Sequence, residues 1–273
     1  MNVNALKKTA NEVRKGIIES TYNAKCGHPG GSLSCADIIT YLYFEKMNIK
    51  VDEPKWDKRD RFVLSKGHCA PALYAVLAEV GFIPKEDLKT LRKINSYLQG
   101  HPDMNKVPGV DMSTGSLGQG ISAATGMALS SKISDNKFNV YTVLGDGEIS
   151  EGQVWEALLF ASAKGLSNLC VIVDNNDLQI DGRLSEVNSP YPLKEKFEAF
   201  GFNTVEIDGH DFYDIEKALN NFSECNTKPT AIIAKTIKGK GVSFMEDVCG
   251  WHGKAPNEEQ YKLAMAELEG VEL

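Results

Sequence analysis

No stretch of the sequence approaches the ~18 consecutive apolar residues that a membrane span requires. The opening segment MNVNALKKTANEVRKGIIES is charged and amphipathic, without the apolar centre of a secretory signal. A membrane role is therefore not expected, and the protein reads as cytoplasmic. Cysteine is present without pattern: Cys26, Cys35, Cys69, Cys170, Cys225 and Cys249 include no CxxC pair. That argues against a zinc site or a disulfide framework and suits a reducing compartment. Positive charge is in deficit, since 30 Lys and Arg against 37 Asp and Glu leave a formal charge of −7. Such a balance is wrong for a protein that binds nucleic acid by neutralising phosphates, although a local basic cluster runs through residues 235–240. Internal repeats, low-complexity tracts and interdomain linkers are lacking as well.

What is present is the composition of an ordinary globular protein, 42% hydrophobic and 25% charged over 273 residues. One domain over residues 1–273 is expected, because single cores stop growing at about 250 to 300 residues. Leu6, Val13, Ile17 and Ile18 recur at helical spacing, and the turn-favouring run CGHPGGS at 26–32 ends that helix. Further helices are expected over 34–47, over 70–80 with Gly81 as a stop, in the glycine-loaded run at 115–130, over 154–164 and over 214–222. A short strand is expected at 61–65, apolar runs at 140–144 and 169–173 have the length of buried parallel strands, and β-like runs follow at 203–207 and 230–235. The alternation predicts an α/β fold, a doubly wound and mostly parallel sheet with helices on both faces.

Ligands in such sheets bind beyond the carboxyl ends of the strands. Two of the expected strands end in Gly145-Asp146-Gly147 and Asp174-Asn175-Asn176, so both motifs open onto one crevice. Asp146 offers a hard carboxylate, Asn176 an amide oxygen and Leu178 a backbone carbonyl. This set suits Mg²⁺, or another divalent cation such as Ca²⁺ or Mn²⁺, which shares its oxygens with phosphates and water. Gly147 clears space for a phosphate, and a helix starting near Ser150 aims its positive end at the anion. Either motif alone is as consistent with a turn; the pairing at this spacing is what turns do not require.

That pairing resembles the cofactor motif of thiamine diphosphate enzymes, and the rest of the chain resembles transketolase. The resemblance is carried, in family order, by CGHPG (26–30), LSKGH (64–68), GHPD (100–103), TGSLGQG (114–120), GDGEISEG (145–152) and HGKAP (252–256). It implies that His68 contacts the cofactor diphosphate, that His252 contacts it while facing the substrate, and that His28 and His101 face the substrate. Neutral imidazoles there suit proton movement between sugar hydroxyls. Gly115, Ser116 and Leu117 match the loop around the thiamine, with Ser116 where the family often has proline. Glu151 matches the glutamate of the family's GDGxxxEG pattern and would reach a dimer interface, or serve as a helix-start acid. For Glu148 and Glu156 the helix-start role is the reading, since acids are favoured there by the dipole. Lys235 is placed near the cofactor or in solvent, and His210 is read as structural.

The resemblance further implies a two-carbon ketol transfer from a ketose or ketose phosphate to an aldose or aldose phosphate, within the pentose phosphate pathway or a specialised ketose catabolism. The glutamate that activates the aminopyrimidine lies in a second domain in this family. The chain thus looks like the amino-terminal subunit of a split transketolase. The expected partner is a carboxyl-terminal subunit that brings the pyrimidine-binding domain and that glutamate, in an α₂β₂ heterotetramer. The alternatives are other thiamine chemistry, of the 1-deoxyxylulose-5-phosphate synthase or 2-oxo acid dehydrogenase type, and a non-catalytic cofactor-binding subunit.

Overall fold

A computed structural model describes residues 1–271. Helix α1 (Val3–Ala24) begins where the Asn2 side chain accepts the Ala5 N–H at 3.1 Å, which satisfies one of the free amides of its first turn. The run expected only to break this helix is itself partly helical: α2 (Pro29–Ser34) has Pro29 in its first turn, where a missing N–H costs nothing. The single helix expected over 34–47 is a correction. It is divided at Cys35 into α2 and α3 (Ala36–Tyr41), and the chain then widens into a π-helical turn over Leu42–Lys46. Next to the division, the Ser34 hydroxyl donates to the Gly31 carbonyl at 3.0 Å and to Asp174, 140 residues away, at 2.5 Å.

Strand β1 (Arg61–Leu64) leads to α4 (Ala70–Val80), which Gly81 ends at φ 102°, a left-handed conformation that favours glycine. Then follow α5 (Gln119–Ile133), β2 (Val140–Gly145), α6 (Gly152–Ala163) and β3 (Leu169–Asn175). Two short helices that the sequence periodicity misses, α7 (Leu184–Val187) and α8 (Leu193–Ala199), precede β4 (Asn203–Asp208). The chain closes with α9 (Phe212–Glu224), β5 (Thr230–Lys235) and α10 (Glu258–Glu269).

All strand pairs are parallel, in the order β1-β2-β3-β5-β4, so the doubly wound sheet stands as expected. Both faces of the central strands β2 and β3 are covered, which is why these read as continuous apolar runs, while the edge strand β4 is half exposed. Phe62, Leu64, Tyr141, Val143, Ile172 and Ile232 face a core shared with α1, α3, α4 and α9. Val63, Val140, Leu144, Val171, Val173 and Ile233 face a second core shared with α5, α6 and α8. After β3 the chain passes to α8 on one face, and after β5 it reaches α10 on the other, where Ala264 and Leu268 join the first core. The divergence opens a crevice at the carboxyl ends of these neighbouring strands, the switch point where open α/β sheets bind ligands.

One helix is pressed directly onto a strand end. A Cβ on Gly120, in the first turn of α5, would lie 2.6 Å from the Ser65 Cα, and backbone cannot yield as a flexible side chain can. Gly120→Ala is therefore expected to cost about 1–3 kcal/mol through overpacking. Urea unfolding measures this, and an unchanged midpoint would mean that α5 moves freely.

Candidate active site

Three of the predicted histidines converge. The ring centroids of His28 and His68 are 5.2 Å apart, those of His28 and His252 5.4 Å, and those of His68 and His252 5.2 Å. The two glycines after Pro29 make this possible. A Cβ on Gly30 would meet the Trp251 carbonyl oxygen at 2.9 Å, and one on Gly31 would meet the Cys69 Sγ at 2.9 Å. Without side chains there, α2 carries His28 close to the loops that bear His68 and His252.

Two of the three rings, His28 and His252, are held neutral. Burial, with His68 adding to it, depresses His28 to about 4. Burial followed by Lys238 and His68 depresses His252 to about 3. The Lys238 ammonium lies 3.0 Å from His252 Nδ1 and can only donate, so Nδ1 is bare and Nε2 carries the proton. The His28 Nδ1 is buried without a hydrogen-bond partner among the described residues, as is Gln179 Nε2. Unmet donors and acceptors of this kind mark places where a polar ligand belongs.

These depressed values carry a linkage. In the unfolded chain a histidine titrates near about 6.5, so below that pH the unfolded state binds a proton that folded His252 refuses until about 3. Stability from keeping His252 neutral is complete above the unfolded value and is lost as pH falls through this window. Between about pH 7 and pH 5, the wild type is expected to lose more stability than His252→Asn. Denaturant midpoints at the two pH values check this, and equal losses would contradict it.

Beside the histidines, Asp146 is buried and accepts the Gly147 N–H at 2.8 Å and the Asp177 N–H at 2.6 Å. Burial, with the neighbouring Asp174 charge, raises its carboxyl to about 7. A buried carboxylate in that condition is short of positive charge, which a divalent cation would supply. Asn176 is buried next to it, with Oδ1 3.2 Å from the Leu178 N–H. The Leu178 carbonyl accepts from Lys238 Nζ at 2.9 Å, so a cation already rests on the oxygen named from the sequence as a ligand. No group of three His, Cys, Asp or Glu is placed to hold a metal among the described residues. A cation here would take one carboxylate, one amide and one carbonyl and fill its remaining positions from phosphate and water, the habit of Mg²⁺. The residues fit the group that the sequence implied.

Two buried carboxylates hold the walls together. Asp174 forms an ion pair with Lys66, accepts from the Ser34 hydroxyl and the Thr236 hydroxyl, each at 2.5 Å, and accepts from Asn176 Nδ2 at 3.2 Å. Glu148 accepts from the Ser65 hydroxyl at 2.5 Å, from the Gly118 N–H at 2.9 Å and from the Gly145 N–H at 3.0 Å. Its expected role as a helix-start acid is thus a correction. It gathers the ends of β1 and β2 and the loop of Gly115, Ser116 and Leu117 around one carboxylate.

Other predicted residues lie further out. His101 is exposed on the rim, its ring 3.0 Å from where a Gly115 Cβ would stand, and it lines an open cavity with Cys26, Arg92 and Ser113. Of the two places given for Lys235 the structure shows solvent and not the cofactor site: it is exposed at the end of β5, whereas Lys238 three residues on is buried, as is Lys66. Glu151 is the residue before α6 but makes no capping hydrogen bond and is exposed. Gly147 stands where a Cβ would approach Gln179 Cβ to 3.3 Å. His210 is structural, held between Asp37 and the Ile237 N–H. A lysine-lined cavity of about 610 Å³ at the amino ends of β2 and β3 is no rival. Its Lys132 and Lys137 are already engaged by carbonyls near the carboxyl ends of α5 and α6.

Fold and site together define an α/β domain with a polar crevice, lined by buried groups that lack partners among the described residues, at the switch point of a parallel sheet. The chain belongs to the transketolase family: residues 5–270 match the family described as transketolase, thiamine diphosphate binding domain. It is 42% identical over 268 residues to an apulose-4-phosphate transketolase subunit of Phocaeicola vulgatus, covering 98% of this chain and 95% of that one. It is 46% identical over 264 residues to the 6-deoxy-6-sulfo-D-fructose transketolase subunit SqwG of a Clostridium species, covering 97% and 96%. Human transketolase is 47% identical over 258 residues, 92% of this chain but 40% of the human one. Among solved structures, transketolase from Leishmania mexicana superposes with a TM-score of 0.91 at 32% identity, covering 97% of this chain and 41% of that chain. The chain thus spans nearly the full length of the two bacterial relatives and about two fifths of the longer transketolases.

Proposed function

We propose that residues 1–273 act as one diphosphate-binding domain, the amino-terminal subunit of a cytoplasmic, Mg²⁺-dependent two-chain transketolase. The observation that carries this reading is the convergence of His28, His68 and His252 beside Asp146, Asn176 and Leu178 at the switch point. Asp146, Asn176 and the Leu178 carbonyl hold the cation, while Gly147, Gln179, His68 and Lys238 surround the diphosphate. Thiamine diphosphate supplies the carbon nucleophile to which the two-carbon ketol unit is transferred. His28, His252 and, from the rim, His101 face the sugar and move protons at its hydroxyls. Burial is the main cause of the depressed proton affinity of His28 and His252, and a diphosphate beside them opposes the smaller share that Lys238 and His68 impose.

Both bacterial relatives are named as subunits, which supports a second chain that brings the pyrimidine-binding domain and the activating glutamate. Exposed apolar side chains on α6, Leu159 at 61% and Phe160 at 42%, support a covered face there. Glu151, exposed at the head of the same helix, belongs to that interface, and the assembly is an α₂β₂ heterotetramer. The relatives' substrates, a phosphorylated and a sulfonated sugar by name, point to a ketose with an anionic end. The purified chain with Mg²⁺ and thiamine diphosphate is expected to transfer no ketol unit until the partner chain is added. Full transfer by the chain alone in a donor–acceptor assay would refute the proposal.

A further inference from the structure

The Lys238 ammonium touches both the Leu178 carbonyl, at 2.9 Å, and His252 Nδ1, at 3.0 Å. Its place depends on the loop 236–241, and that loop is fastened from outside the site. The Ile237 N–H donates to His210 Nε2 at 2.9 Å. A backbone amide can only donate, so Nε2 is bare and the ring proton sits on Nδ1, which lies 2.8 Å from Asp37 Oδ2. The same Asp37 oxygen accepts from Arg14 Nη2 at 2.5 Å, and Arg14 Nε donates to the Lys240 carbonyl at 3.1 Å. One buried carboxylate on α3 thus anchors the loop on both sides of Lys238, through a histidine at Ile237 and an arginine at Lys240. The turn bearing His210 is itself set close to the loop. Gly209 donates to the Lys235 carbonyl at 2.8 Å, and a Cβ there would stand 2.5 Å from Thr236 Cγ2.

We propose that His210 is a positioning residue for the cofactor site: its ring, held by Asp37, accepts the Ile237 amide and so keeps Lys238 inside the site, against His252 Nδ1 and within reach of the diphosphate once a cation takes the Leu178 carbonyl. The inference rests on the proposed cofactor site. Through Lys238, the ring of His210 also decides where the His252 proton resides. Few side chains replace it, since the task needs a donor towards α3 and an acceptor towards the loop on opposite sides of one rigid group. Glutamine supplies both functions with poorer geometry, and phenylalanine supplies neither.

The full chain, labelled with ¹⁵N-histidine, tests the first link without any substitution. NMR is expected to show His210 with its proton on Nδ1 and His252 with its proton on Nε2; a proton on His210 Nε2 overturns the inference. Calorimetric titration with thiamine diphosphate and Mg²⁺, with the partner chain present, tests the second link. His210→Phe is expected to weaken binding about tenfold, the effect of one hydrogen bond to a charged network, and to disturb the His252 tautomer. His210→Gln recovers most of the loss. In a Lys238→Met background His210→Phe costs nothing further, because the two act in series. Unchanged affinity in His210→Phe, or a full additional loss in the Lys238→Met background, overturns the inference. Unchanged affinity in Lys238→Met alone instead overturns the proposed cofactor site, and the tautomer of wild-type His210 still judges the contact by itself.

Discussion

Asp146→Ala is expected to abolish Mg²⁺-dependent binding of thiamine diphosphate. Asp146 is the one carboxylate in the proposed ligand set, and the other two donors, the Asn176 amide and the Leu178 carbonyl, are neutral. Removing partners outside the first ring of ligands already costs a metal site about 10- to 100-fold, so loss of the charged ligand itself is expected to exceed about a hundredfold. The side chain is buried, and its carboxyl stands near 7 because burial and Asp174 leave its charge uncompensated. In the cation-free chain, alanine relieves that cost but leaves the Gly147 and Asp177 amides without their acceptor, so stability changes little while binding disappears. Calorimetry with the partner chain present, paired with a thermal melt of the cation-free chain, separates the two effects. Retained cofactor affinity would remove Asp146 from the metal site.

The second large effect is on stability. Lys66→Met leaves Asp174 fully buried with its charge and without its cation. The Lys66 ammonium pairs with that carboxylate and donates to the Gly31 carbonyl at 3.0 Å. Breaking one side of a buried ion pair costs about 3–5 kcal/mol, because the remaining charge has lost its compensation. The hydroxyls of Ser34 and Thr236 still donate to Asp174, which places the expected loss at the lower end of that range. Denaturant unfolding without cofactor measures it; a loss below about 1 kcal/mol would show that the two hydroxyls suffice.

The centre of the sheet was legible because β2 and β3, covered on both faces, are written as uninterrupted apolar runs, whereas the edge strand β4, half exposed, shows only a short β-like pattern. The ends of β2 and β3 were legible for the same reason, since Asp146 and Asn176 follow those runs directly. Loops were harder. Lys235 and Lys238 stand three residues apart in one basic cluster, and only the turn after β5 decides which is buried; Gly239 and Gly241, at φ 83° and 92°, were the signal that the chain reverses there. Glu148 sits where helix-start acids belong, but two of its partners, Ser65 and Gly118, are 83 and 30 residues away. The break at Cys35 adjoins a hydroxyl that reaches a strand 140 residues on, a contact that helical periodicity does not encode.

The contacts of Asp174 have a consequence for how the protein comes to be active. They span 140 residues to Ser34, 108 to Lys66 and 62 to Thr236. Each requires a large loop to close before it yields any stabilisation, so they form late, when the sheet is assembled. The cofactor pocket is therefore a proofreading device for folding. A chain with a misplaced strand has no pocket, and the ligand, binding only the finished form, draws the population towards it by mass action.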